Sequence, residues 1–178
     1  MKSAAFLALP GCAIWQVAHL QRLLKAHDWS MWTLTMGAKE VDTDGGLHIT
    51  PDANLYDTFP RDFSLLFVAG GHVTERELGD PGLTRFLRQY DAAGGLVASI
   101  GSGTTVIAAA GLIGGLHVAV DAECLQRFSE LFTHAIVQES DVVQDGSVLT
   151  ACAHAEAGFA NGVMRLIETY PDTRRRHS

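Results

Sequence analysis

Leu96-Val97-Ala98-Ser99-Ile100-Gly101-Ser102-Gly103-Thr104-Thr105 is the stretch on which the reading of this chain turns. Its apolar first half predicts a buried strand, Gly101-Ser102-Gly103 a sharp turn, and the run from Val106 to Ala110 a helix. In that order, the N–H groups of the turn and the positive end of a helix dipole meet at one point. A bend of this kind is a nucleophile elbow, whose apex ordinarily carries a reactive Ser or Cys. The apex residue here is Gly101, which has no side chain with which to attack anything.

Outward from the elbow, the chain alternates strands and helices. The continuous apolar runs 4–9, 63–69 and 96–100 predict parallel strands covered on both faces. They end in Pro10-Gly11, Gly70-Gly71 and the elbow. Val17, Leu20, Leu23 and Leu24 recur at helical spacing as far as His27. Residues 29–36, rich in Trp, Met and Thr, predict a second strand, packed by Trp29, Met31, Trp32 and Met36. Asp42-Thr43-Asp44-Gly45-Gly46 is a turn with a hairpin return over 47–50, and 54–59 predicts a short helical turn. Asp80-Pro81-Gly82 opens a helix with Leu83, Phe86, Leu87 and Tyr90 on its apolar stripe. Further strands are predicted over 116–120, 136–139, 141–144 and 147–151, with a turn at Asp145-Gly146, and further helices over 123–131 and 156–170. This order implies an α/β three-layer sandwich, a flavodoxin-like, mostly parallel sheet with helices on both faces. Ligands of such sheets bind at the carboxyl ends of the strands, where the three turns converge. The chain reads as a single domain over 1–170 with a solvated tail at 171–178, which carries Arg174-Arg175-Arg176.

Composition narrows the partners. The chain has 178 residues, 47% hydrophobic, and a net charge of −7. That balance argues against a nucleic-acid partner. No run reaches the roughly eighteen apolar residues of a membrane span. Lys2, the apolar 3–9 and Leu9-Pro10-Gly11-Cys12 outline a lipoprotein signal. The segment is too short and Pro10 ill-placed for one, so it is read as a buried first strand. Cys12, Cys124 and Cys152 form no CxxC pair and read as reduced thiols of a cytoplasmic protein.

The turn 101–105 has two readings. Free N–H groups and the hydroxyls of Ser102, Thr104 and Thr105 would cradle a carboxylate or phosphate. Alternatively, it is a tight turn in which Ser102 or Thr104 caps the helix. The phosphate-loop ending Gly-Lys-Ser/Thr is missing, and no cofactor or metal is indicated. Ser102 as a serine nucleophile would need glycine at position 100, where Ile100 stands, and a base in reach. His72, after Gly70-Gly71, faces the same strand ends as a candidate acid or base, or is an ordinary loop histidine. His117 and His154 are assigned to structure. Cys152, His154 and Glu156 share one face of an extended chain but make a weak metal set.

The arrangement resembles the DJ-1/PfpI family of the class I glutamine-amidotransferase-like superfamily. The resemblance is strongest over Phe67-Val68-Ala69-Gly70-Gly71, then 94–103, then Ala109-Ala110-Gly111-Leu112-Ile113-Gly114-Gly115. The isonitrile hydratases and regulator amidotransferase-like domains are the branch it is most similar to. The resemblance implies a cysteine at the position of Gly101, an acidic residue at that of Gln16, and often a histidine at that of Asp121. It also implies an oxyanion hole that includes Gly70-Gly71, and a homodimer.

All three reactive positions depart from the family's pattern together. The expectation is therefore a degenerate, non-catalytic protein that binds an unknown small polar or anionic molecule through Gln16, Gly70, Gly71, His72, Gly101 and Ser102, or acts through protein contacts. The alternative is a hydrolase or lyase of the isonitrile hydratase, amidase or glyoxalase type working without the cysteine, with His72, Asp121 or Ser102 as its groups. A glycine substituted for a native cysteine would leave the same apex, but would not bring Gln16 and Asp121 with it.

Overall fold

The computed structural model describes residues 2–170, so the 171–178 tail lies outside the described residues. In chain order the elements are β1 (Ser3–Leu7), α1 (Ala18–Ala26), β2 (Ser30–Thr35), β3 (Val41–Asp42), β4 (His48–Ile49) and β5 (Ala53–Asn54). Then come β6 (Leu65–Val68), α2 (Glu75–Leu78), α3 (Pro81–Ala92), β7 (Leu96–Ile100), α4 (Gly103–Ala109) and β8 (His117–Val118). The last are α5 (Ala122–Arg127), β9 (Ile136–Val137), β10 (Val142–Asp145), β11 (Val148–Ala151) and α6 (Glu156–Thr169).

Seven strands form the central sheet, in the order β10-β11-β7-β6-β1-β2-β5. All neighbours are parallel except β10, which returns antiparallel along β11 from the turn at Gly146. Parallel strands buried on both faces explain the unbroken apolar runs, because every side chain has a helix layer to meet. Alternation assigns each residue its layer. Ala5, Leu7, Leu66, Val68 and Val97 face the stripe Leu83, Phe86, Leu87 and Tyr90 of α3, together with Val106 and Ile107 of α4. Ala4, Phe6, Leu65, Phe67 and Ala98 face Leu20 and Leu24 of α1 and Phe159, Val163 and Leu166 of α6. Phe6 and Phe67, on adjacent strands, stack with ring centroids 5.2 Å apart. Each such fully buried large side chain stabilises the fold by about 1.5–3 kcal/mol.

The differences from expectation are local. The apolar run 116–120 contributes only His117–Val118, and these pair with Ile136–Val137 in a separate two-stranded sheet. The helix expected over 123–131 breaks at Phe128 (φ −128°, ψ 40°) and resumes as a 3-10 turn over Ser129–Phe132. Asn54, expected to begin a helical turn over 54–59, instead ends the edge strand β5 beside β2, and the turn itself is confined to Leu55–Asp57. Trp29 is buried as expected, but Trp32 is 43% exposed and meets Phe63 edge-on. The first apolar run forms β1 of the central sheet, between β2 and β6. No helix among the described residues is long and apolar enough to cross a membrane.

Candidate functional site

Because β1, β6 and β7 lie side by side, the loops that follow them meet. Ala13 N–H donates to Gly70 O at 2.8 Å, and His72 N–H to Gly11 O at 3.1 Å, locking the first two loops together. Gly71 is required there. Its φ is +116°, and a Cβ would lie 2.2 Å from Gly11 O. Gly103 is required for the same kind of reason, since a Cβ would lie 2.7 Å from Ala69 O. The elbow therefore packs backbone to backbone against the loop after β6.

At the apex Gly101 has φ +59°, the left-handed region. Its N–H donates to Ala151 O at 2.9 Å, and its carbonyl accepts from Thr104 N–H at 3.1 Å. The hydroxyls do not behave as the cradle reading expects. Thr104 and Thr105 are fully buried, and Thr104 shares a 2.8 Å hydrogen bond with Ser99. The helix-capping reading fails too: Ser102 occupies the N-cap position of α4 without a side-chain capping bond and donates to Gly71 O at 2.9 Å. Ser102 is thus used as a strut between the elbow and the loop after β6.

Gln16, 4% exposed at the end of the 3-10 turn Ile14–Gln16, accepts Gly70 N–H at 2.7 Å through Oε1. Its amide is the nearest neighbour of the side-chain position at Gly101, where a Cβ would lie 3.0 Å from Nε2. Ala153 Cβ would be 3.3 Å from the same point. The Asp121 carboxylate accepts Ala153 N–H at 3.1 and 3.2 Å, which brings Asp121 to the far side of the elbow. A cavity of about 430 Å³ opens here. Gln16, Gly71, Ser102, Asp121 and Ala153 are among its walls, with Val73, Cys124 and Phe128 as apolar lining. Glu123 and Arg127 of α5 complete it.

Gln16, Gly70, Gly71, Gly101 and Ser102 are therefore brought together, and Asp121 joins them. His72 is not among the lining residues. It is exposed and packs against Gly11, where a Cβ would meet its own Cβ at 2.9 Å. His117 and His154 sit elsewhere, paired with Asp145 at 2.9 Å and Asp141 at 3.2 Å. Cys124, Arg127 and Phe128 were not singled out by the sequence. Cys124 lies in the first turn of α5, Arg127 is its last residue and Phe128 follows it, and none of these positions marks a site in the sequence.

The cysteines are poorly placed for nucleophilic work. Burial pushes the Cys12 thiol up to about 11, with Asp44 adding to the effect. Cys152 is likewise pushed up to about 11, by burial and then by the negative charges of Asp121 and Asp141. Cys124 is raised by burial foremost, and Asp121 adds to that rise. A thiol is activated by positive or donor-rich surroundings. Here a backbone hydrogen bond at Cys12, and the Thr105 hydroxyl and Arg127 at Cys124, pull the pKa down, but burial outweighs them.

An elbow after a central parallel strand, flanked by a glycine pair, sits here on a mostly parallel, flavodoxin-like α/β sheet. The profile of the DJ-1/PfpI family matches residues 2–166, and the chain belongs to that family. No curated protein matches it in sequence. Among solved structures it is similar to a two-domain protein with DJ-1/ThiJ/PfpI-like and ferritin-like domains from Anabaena variabilis, with a TM-score of 0.84 and 18% identity. That match covers 100% of this chain and 52% of the other, so this chain spans about half of that neighbour's length. A DJ-1 superfamily protein from Agrobacterium tumefaciens has a TM-score of 0.84 and 20% identity, covering 98% and 94% of the two chains. DJ-1beta of Drosophila melanogaster has a TM-score of 0.81 and 21% identity, covering 97% and 92%. At these identities the likeness concerns the fold.

Proposed function

We infer that this chain is a catalytically degenerate member of its family that binds a small polar or anionic molecule in the elbow cavity. The observation that carries this reading is Gly101 at the apex, in the left-handed conformation and without a side chain. Losing the nucleophile of a covalent mechanism removes many orders of magnitude in rate. The three cysteines do not replace it, each having a raised thiol pKa. What remains is a concave, water-accessible space with backbone donors at Gly71 and Ser102 and charged groups at its rim.

A second reading has one observation in its favour. Asp121 lines the cavity and has acceptor capacity left after its bond to Ala153, so it is placed to act as a general base on water. His72, the other candidate, stands outside the lining. Homodimer formation goes with the binding reading and is checked by sedimentation velocity. The function itself is tested by presenting isonitriles, small amides and 2-oxoaldehydes to the purified protein. Turnover at the solvent rate is expected. Turnover that Asp121→Ala abolishes would replace the binding reading with the second one.

A further inference from the structure

Gln16 is a buried amide held by only one of its two ends. Oε1 accepts from Gly70 N–H at 2.7 Å, so the orientation of the side chain is fixed, with oxygen towards Gly70 and NH2 away from it. The side-chain position at Gly101 would be 3.0 Å from Nε2 and 3.3 Å from Oε1, so the amide lies alongside it with the nitrogen nearer. Among the described residues no acceptor meets either Nε2 hydrogen, although the residue is only 4% exposed. Gln16 is one of the residues that line the cavity.

Gly71 and Ser102 line the same cavity. The N–H groups of Gly71 and Ser102 have no acceptor among the described residues. A Cβ at Gly70 would lie 2.9 Å from Ser102 N and 2.8 Å from Gln16 Oε1, so little separates them. Across the elbow, one residue away through Ala153, is an acceptor: the Asp121 carboxylate. The space beside Gly101 thus has hydrogen-bond donors on one side and a negatively charged acceptor on the other, with Val73 and Phe128 forming apolar walls.

Resting on the binding reading above, we propose that this space recognises a small organic carboxylate bearing a hydroxyl or amino group on the neighbouring carbon, with Gln16 as the specificity-determining residue. The carboxylate takes hydrogen bonds from Gln16 Nε2 and the two backbone N–H groups. The neighbouring hydroxyl or ammonium donates to Asp121. Glutamine suits this task where glutamate does not. A glutamate at 16 would keep the Gly70 bond but turn a second negatively charged acceptor towards the ligand, and like charges at this range repel.

The test is a 1H–15N NMR titration of the full chain with lactate, glycine, acetate, acetamide and methylammonium as probes. Lactate and glycine are expected to shift the Gln16 side-chain amide together with the Gly71 and Ser102 amides, and to bind about fivefold or more tighter than acetate. The stronger of the two identifies the substituent. Gln16→Glu, whose unchanged spectrum away from the cavity reports an intact fold, is expected to weaken both about tenfold or more. Asp121→Asn is expected to reduce both towards the affinity of acetate. Carboxylates that bind without moving the Gln16 amide, or equally well to Gln16→Glu, overturn the proposal. Cavity shifts with acetamide or methylammonium alone also overturn it while leaving the binding reading in place. If no probe moves a cavity resonance, both fall.

Discussion

Residue 101 resists a side chain in two ways. A non-glycine residue at φ +59° costs about 1–2 kcal/mol, and a Cβ there would press on Gln16 and Ala153. Gly101→Cys is therefore expected to lower stability by about 1–2 kcal/mol in urea unfolding. The introduced thiolate would meet the Gln16 N–H, so it is expected to alkylate faster than any native cysteine. A thiol as slow as the native ones would show that the slot is not donor-lined. Gly71→Ala, with its Cβ 2.2 Å from Gly11 O and φ +116°, is expected to cost more, about 2–3 kcal/mol. At this scale Gly101 was legible from the strand–turn–helix order, whereas Gln16 and Asp121 were pointed to only by the resemblance to the family. The direction of His72 was not legible. It depends on the φ of Gly71, which a glycine leaves open among several values. The uses of Ser102 and Thr104 were hidden for a related reason, since a hydroxyl bonds to whichever carbonyl or hydroxyl the fold brings near.

Among the elements, α2 shows how a short segment escapes periodicity. Four residues are too few for an amphipathic stripe, yet Thr74-Glu75-Arg76-Glu77 contains a capping box, with Glu77 reaching back to Thr74 N–H at 2.9 Å. Thr74→Ala is expected to destabilise the protein by about 1 kcal/mol, read from chemical denaturation, with little change in cavity resonances. Tertiary pairing explains the elements that sequence overstated. The run 116–120 is apolar enough for a strand of the main sheet, but β10 and β11 extend the sheet on that side. Ala119 N–H consequently bonds to the Thr150 hydroxyl at 2.8 Å instead of joining a ladder. The break at Phe128 was equally invisible, because no Gly or Pro marks it and the local sequence favours helix.

For the whole molecule, the layer order was readable from the apolar runs, since a parallel sheet covered on both faces leaves few other uses for them. Burial of the thiols has a consequence for the entire fold. Cys12 and Cys152 keep their protons up to about pH 11 when folded, while in the unfolded chain they lose them near the ordinary value of 9.0. Between those values the unfolded state binds fewer protons, so stability falls as pH rises, and below pH 9.0 these groups contribute no slope. Thermal unfolding temperatures are expected to fall across that window, and less steeply in Cys12→Ala than in the parent chain. Equal slopes would show that Cys12 titrates normally.

Loss of thiol chemistry from the elbow is tested most directly by iodoacetamide labelling from pH 6 to 10, with each alkylated cysteine identified by peptide mass. The expected profile shows Cys12, Cys124 and Cys152 all slow at neutral pH and accelerating only in alkali. A single cysteine that labels rapidly at pH 7 beside the cavity would contradict it.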